Sequence, residues 1–413
     1  MTTLGEICGG GGVQTGPFGS QLHAADYVED GVPVIMPQDL VDGRIDTANV
    51  ARVSEDDAQR LGRHRVEPGD IVYSRRGDIR RRVLIKQTQA GWLCGTGCLR
   101  VRIGDGTRPD YVATYLGHPA VQDWIERHAV GATMLNLNTK ILSALPVVLP
   151  SPDEQKQITS VLGALDDKID SNRRLARLLE QIAQTEFQAR FVDFIGVADL
   201  AQSGDGPIPS GWHWRAISSL ARYVNGKAFT KFGNGRGRMV IRIADLKSGP
   251  GGSTVYTDHE PENDDFVARA GDILFAWSGS LDVYRWYREE ALINQHIFKV
   301  VPEGDPQWLV YFALKHVMPH FQAIAADKAT TMGHIKRSDL ARFVIPMPPR
   351  EELAQVDSFF VPIYDHSLRA LIEAESLTSI RNALLPKLIS GEIRVPDTAD
   401  PGAVIEPLVD EVA

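Results

Sequence analysis

Along residues 150–200 the apolar positions fall three and four apart, at Ile158, Val161, Leu162, Leu165, Ile169, Leu175, Leu179, Ile182 and Phe187. Polar and charged residues fill the gaps and the spacing holds to about Phe191, which predicts one long amphipathic helix over 153–191. Its entrance, "LPSPDEQKQI" (149–158), carries a capping box in Ser151 and Glu154, with proline at the first helical position. At 1.5 Å per residue the helix is a rod of roughly 58 Å, too long to bury its stripe on one small module. Near the end of the chain Leu353, Val356, Phe360, Ile363, Leu371, Ile380, Leu384 and Leu388 predict a second rod over 350–389, kinked at Pro362. It opens on "MPPREELAQV" (347–356), a second writing of the same entrance, with Glu352-Leu353 in place of Glu154-Gln155, so its cap is expected to differ. The two rods are expected to pair as an antiparallel coiled coil. In that pair Asn172 either sets register from a buried position or lies exposed at the stripe's margin.

Before each stripe the pattern changes. Short runs such as "VPVIM", "DIVYS" and "CLRVRI", divided by Gly and Asp, predict strands, and "YVATYLGHPAVQDWIERHA" (111–129) predicts interspersed helix. These blocks return after about 200 residues. "GVPVIMPQDL" (31–40) matches "GRMVIRIADL" (237–246), and "EPGDIVYSRRGDI" (67–79) matches "RAGDILFAWSGSL" (269–281). "ATMLNLNTKILSALPVVLP" (132–150) matches "TTMGHIKRSDLARFVIPMP" (330–348), keeping Thr133-Met134 as Thr331-Met332. Three blocks in one order identify a tandem duplication. The expected fold class is α+β: a mixed α/β domain at 1–149, a helical spacer at 150–200, a second mixed domain at 201–348, and a second spacer with an acidic tail at 349–413.

Composition narrows the function. With 43% apolar and 23% charged residues the chain is of globular type, and no run of about 18 apolar residues points to a membrane. The start "MTTLGEICGG" lacks the basic and apolar regions of a signal peptide, so a cytoplasmic location is expected. Of three cysteines, the pair in "CGTGC" (Cys94, Cys98) has no second cysteine pair or nearby histidine pair to complete a metal site, so structural thiols are expected. The net charge of −9 argues against a polyanionic partner until it is divided: 1–149 carries −1, 150–200 carries −3, 201–348 carries +2 and 349–413 carries −7. The acidity lies in the spacers. The two mixed domains are near neutral with basic clusters, so a polyanion would meet local patches.

In this duplicated order the chain resembles the specificity (S) subunits of Type I restriction–modification systems, which alternate a target-recognition domain with a helical spacer, twice. "TGPFGSQL" (15–22) looks like the opening loop of such a domain, "GDIVYSRRG" and "GDILFAWSGSL" like its central motif, and "IPSGWHW" (208–214) like the start of the second domain. "EQKQITSVLGALDDKIDSNRRL" and "IRNALLPKLISGEI" resemble the two spacers. The resemblance implies a partner duplex of DNA and two modification (M) subunits that methylate adenine N6 with S-adenosylmethionine. It also implies, optionally, two restriction (R) subunits using ATP and Mg. No cofactor, metal or membrane contact is expected in this chain itself.

The residues fit a chain without catalysis. No Asn/Asp-Pro-Pro-aromatic loop of an adenine methyltransferase and no Walker A sequence occurs, and "GGGGV" (9–13) has no strand before it to make a phosphate loop. Asp153, Glu154 and Lys156 are contiguous in a cap rather than spread over strands as in a nuclease. His316 and His320 have ligand spacing but enclose Pro319.

Binding features are stronger. Arg75, Arg76, Arg80, Arg81 and Arg82 follow a predicted strand; such a run is a solvated loop or a DNA contact, and with a duplicated spacer architecture DNA contact is expected. Ser20 and Gln38 join them as candidates. In the second domain "NGKAFTKFGNGRGRMVIR" offers Lys227, Lys231, Arg236, Arg238 and Arg242 with no acidic residue, joined by Ser278 and Ser280. Trp277-Ser278 replaces Arg75-Arg76, so the two domains are expected to recognise different bases. The other function class is a scaffold whose twin domains bind protein or another ligand.

For the spacer, Ile158, Leu165, Ile169, Asn172 and Leu179 are expected to pair with Val356, Phe360, Leu371 and Leu384, acting as a ruler. Inserting four residues after Ile169 adds about 6 Å and roughly one turn. The methylated motif in cells should then keep both halves while its gap grows by about one or two base pairs of ~3.4 Å each. An unchanged gap sinks the ruler.

Overall fold

The computed structural model describes residues 2–41, 43–131, 135–327, 335 and 337–395. Two repeat positions of the sequence, Thr133-Met134 and Thr331-Met332, and the acidic tail beyond 395 lie outside them. The chain forms two units, 1–167 with 378–413 and 168–377, so each unit combines one mixed domain with a part of both long helices. The class is α+β, as the periodicities require.

In the first unit an antiparallel sheet runs in the order Cys8–Thr15, Cys98–Ile103, Ile71–Ser74, Arg82–Leu84. A second sheet runs Leu93–Cys94, Val32–Ile35, Ala51–Val53, Tyr27–Val28, its first pair parallel. The glycine run that sequence excluded as a phosphate loop lies inside strand Cys8–Thr15. Cys94 and Cys98 are buried, and burial pushes the Cys94 thiol up to about 12, which fits packing rather than metal chemistry.

The second unit repeats the plan with strands Ala221–Asn225, Ile297–Pro302, Ile273–Ala276 and Asp282–Arg285, and with Arg238–Ile241 parallel to Ala291–Ile293. One strand differs. Val267–Ala268 joins Ala291–Ile293 here, where the first unit has only a bridge between Arg65 and Leu93. The helical stretch 111–129 also departs from expectation. It splits into Pro109–Tyr115 and Pro119–His128, because Gly117 and Pro119 interrupt it. Its counterpart is one helix, Gln307–Asp327, which contains Pro319.

The repeated Gly-Asp-Ile is a structural device. Gly69 (φ 92°) and Gly271 (φ 97°) make a turn that a side chain would strain. The Asp70 carboxylate closes that turn by accepting the Glu67 amide (2.8 Å) and pairs with Arg102 through two bonds of 2.8 and 2.7 Å. Asp272 accepts the Arg269 amide (2.7 Å) and pairs with Lys299 (2.8 Å).

The long helices span Pro152–Phe191 and Arg350–Ser390, the second unbroken through Pro362. The first entrance is the expected capping box: the Glu154 carboxylate accepts from the Ser151 amide (3.0 Å) and the Ser151 hydroxyl accepts the Glu154 amide (3.3 Å). At the second, Glu352 instead accepts the Trp212 indole N–H (2.9 Å), and buried Leu353 replaces buried Gln155. In the first unit Arg381 pairs with Asp166 (2.7 Å). In the second, Lys168 pairs with Glu373 (3.2 Å) while Phe191 meets Phe360 (centroids 6.3 Å), so the segments run antiparallel.

Ile158, Leu165, Ile169, Asn172, Phe360 and Leu384 are buried, and Leu179, Val356 and Leu371 are half-buried. Asn172 is therefore buried and not at the stripe's exposed margin, and its amide nitrogen finds no partner among the described residues. The stripe drifts from the one expected, because Leu175 (36% exposed) and Ile182 (51%) face solvent while Ala176 and Ala183 are buried. Alanine permits close approach, which counting large apolar residues does not detect. In the second unit buried Arg285 reaches from its strand to the Tyr364 carbonyl (2.6 Å) and the Ser367 hydroxyl, and lies 4.1 Å from the Tyr364 ring centroid. Tyr311 donates to Glu180 (2.5 Å), so both helices are tied to the second mixed domain by polar bonds in a dry setting.

Candidate nucleic-acid interface

In the first unit, the loop after strand Cys8–Thr15 is pinned at its base. The Gly16 amide donates to the Cys98 carbonyl (3.0 Å), and its Cα lies so close to Gly95 that an added Cβ would stand 2.0 Å from the Gly95 oxygen. The Thr96 hydroxyl donates to the Pro17 carbonyl (3.0 Å), and the Gln21 amide to that of Phe18 (2.8 Å). Phe18 and Ser20 stand exposed at the tip.

Arg75 leaves the end of strand Ile71–Ser74 beside this loop. Its Nε donates to Asn136 Oδ1 (3.3 Å) and to the Leu137 carbonyl (3.2 Å), and its guanidinium carbon is 5.8 Å from the Phe18 ring centroid. Arg76 is exposed next to it and bridges backbone to backbone with Asn136. Pro37 packs at Gly97, carrying exposed Gln38 on the same turn. Four segments distant in sequence thus meet at one edge.

The other arginines of the cluster divide. Arg80 pairs with Glu126 and Arg81 with Asp78 (3.1 Å); both are exposed, and such pairs are worth at most about 1 kcal/mol, so phosphates can compete for them. Arg82 differs from its neighbours: half-buried, its Nε donates to the Ala113 carbonyl (3.0 Å), its guanidinium fills the space over Gly117, and burial lowers its pKa, so its contacts here are those of domain packing.

The second unit builds the same edge with other side chains. The Gly226 amide donates to the Ile297 carbonyl (2.9 Å), and an added Cβ would stand 2.2 Å from the Asn294 oxygen. Trp277 occupies the place of Arg75: its carbonyl accepts the Ile335 amide (3.0 Å), as that of Arg75 accepts the Leu137 amide (2.9 Å). The Trp277 indole donates to Asn225 Oδ1 (2.9 Å). Basic residues that looked unopposed in sequence acquire acids through the fold. Lys227 meets Glu262 and holds that carboxyl below its usual range, Arg238 meets Glu260, and Arg242 pairs with Asp245 (2.9 Å) and Ser253 (3.2 Å). Arg236 is exposed, and Lys231 lies 4.8 Å from the ring of Phe232, itself stacked on His259 at 3.9 Å. Ser278 is buried, whereas Ser280 lines an open cleft with Asp282 and Gln322.

No group of three metal-ligating side chains exists among the described residues, and His316 and His320 lie against the rings of Phe187 and Phe343. No described helix is long and apolar enough to cross a membrane. Sequence reasoning missed Phe18 and Asn136, the first because a lone aromatic in a glycine loop carries no periodic signal.

The model of the Type I restriction modification DNA specificity domain matches residues 19–181 and 209–375. A curated relative, the Type I restriction enzyme MjaIX specificity subunit of Methanocaldococcus jannaschii, is 23% identical over 95% of this chain and 92% of its own. The HindI specificity subunit of Haemophilus influenzae is 23% identical over 61% of this chain and 70% of its own. In fold the chain is similar to the crystal structure of a Type I restriction–modification S subunit from M. genitalium, with TM-score 0.54 and 16% identity over 96% of each chain.

Replacing Arg75 and Arg76 together by Ala should weaken binding to any duplex and flatten the salt slope by about 0.9 for each phosphate no longer neutralised. Arg82→Ala should leave that slope intact and lower the unfolding midpoint instead. A titration across salt concentrations checks both; a slope changed by Arg82→Ala and not by the pair would reverse the assignment.

Proposed function

This chain belongs to the family of Type I restriction–modification DNA specificity subunits, and from that premise we propose that its two recognition domains each recognise one half of an interrupted, asymmetric site on double-stranded DNA. It is the non-catalytic, target-recognising subunit of such a system. The finer reading is that it assembles with two M subunits, which methylate adenine N6 from S-adenosylmethionine, and optionally with two R subunits that use ATP and Mg. The chain itself would hold no cofactor.

The observation that carries the bipartite reading is the pair of edges just described. One backbone frame, with Gly16 on Gly95 and Gly226 on Asn294, displays Arg75 in one copy and Trp277 in the other. A guanidinium offers paired donors to a guanine edge or a phosphate, whereas an indole offers one donor, here engaged by Asn225, and a π-face. Equal frames with unequal side chains fit an asymmetric site. Phosphate contacts from Arg76, Arg80, Arg81 and Arg236 would position the duplex, and few side chains need touch bases.

Exchanging residues 1–145 for the equivalent domain of a relative tests this. Methylated motifs recovered from cells expressing the chimaera with the M subunit should change in one half only. Change in both halves would show that the domains do not recognise independently.

A further inference from the structure

Phe18 is an unusual residue to leave in water. Its side chain is 51% exposed at the tip of a loop, although burying it would be favourable by about 2 kcal/mol. The loop is not slack. Gly16 is locked on Gly95 and Cys98, Thr96 holds Pro17, and Gln21 holds Phe18 through both a side-chain acceptor (3.2 Å) and a backbone bond (2.8 Å). Arg60 in turn donates to the Gln21 carbonyl (2.8 Å). A large ring is therefore presented outward on a stiff support, with the Arg75 guanidinium beside it and Arg76 and Ser20 flanking.

We propose that Phe18 is a wedge that enters the base stack of the duplex at the half-site recognised by the first domain, opening one base step there. The inference rests on the DNA-recognition reading and deepens it. Apolar side chains on rigid loops unstack base steps when neighbouring cations hold the backbone, and Arg75 and Arg76 supply those cations here. The opened step contributes specificity through its deformability, so the wedge selects a flexible step that the arginines do not read directly. At the place of Phe18 the second domain has Ala228, followed by buried Phe229, and the exposed ring of that loop, Phe232, is stacked on His259 at 3.9 Å and so is not presented free to a base stack. The distortion is thus confined to one half of the site.

The full chain assembled with its M subunit is titrated with duplexes carrying 2-aminopurine at successive positions of both half-sites. The base extruded for methylation is set aside, because its signal belongs to the M subunit. Wild type should brighten one further step in one half-site only. Phe18→Ala should abolish that signal and weaken cognate binding about tenfold or more, with nonspecific binding changed by less than about twofold. Phe18→Leu should restore part of the signal. Salt-dependent DNA binding with no such step, a step that survives Phe18→Ala, or a Phe18→Ala chain that fails to hold the M subunit would each overturn the wedge. Absence of salt-dependent DNA binding by the wild-type complex would instead defeat the DNA-recognition reading on which it rests.

Discussion

Two carbonyl oxygens with no room beside them govern the recognition edges. Gly95 and Asn294 press against Gly16 and Gly226 so closely that no other residue fits, and the amide of each glycine is spent on a strand neighbour. This packing converts the end of an edge strand into a stiff loop. It places Phe18 and Ser20 beside Arg75 in one unit, and Lys227 beside the Trp277 edge in the other. The side chains at the edge are then free to vary without disturbing the sheets, because their backbone is held from behind. A specificity subunit needs that separation between a constant frame and variable readers.

Each frame is joined to helix by different means in the two units. In the second, Arg285 and Tyr311 put buried polar bonds on Tyr364, Ser367 and Glu180, and Phe187, Phe191, Trp308 and Phe360 supply an aromatic core around them. In the first, Arg82 fills the space over Gly117, and Gln155 at the helix entrance accepts the Arg108 amide (3.1 Å). Polar groups satisfied in a dry setting orient helices more strictly than apolar packing alone, because a slipped arrangement leaves them unpaired.

The duplication, the two long helices and the strand-rich modules were legible because they repeat or have a period. The first cap was legible because Ser151 and Glu154 are local. Features set by segments distant in sequence were not. Arg82 looked like its neighbours until the fold turned it toward Ala113, and Lys227 and Arg238 looked unopposed until Glu262 and Glu260 arrived from a later segment. Leu175 and Ile182 were assigned inward by size, whereas the pairing used the smaller Ala176 and Ala183. The Gly-Asp-Ile repeat was visible as a motif, but its role in the turn emerges only with Arg102 and Lys299 in place.

If the locked glycine loop frames base recognition, and not attachment to DNA in general, Gly16→Ala in the full chain assembled with its M subunit separates the two. Affinity is measured for the cognate duplex and for a random one at several salt concentrations. The random duplex should bind with its salt slope intact, while the preference for the cognate duplex falls at least tenfold (about 1.4 kcal/mol). A Gly16→Ala complex that keeps its full cognate preference would contradict the role of the frame.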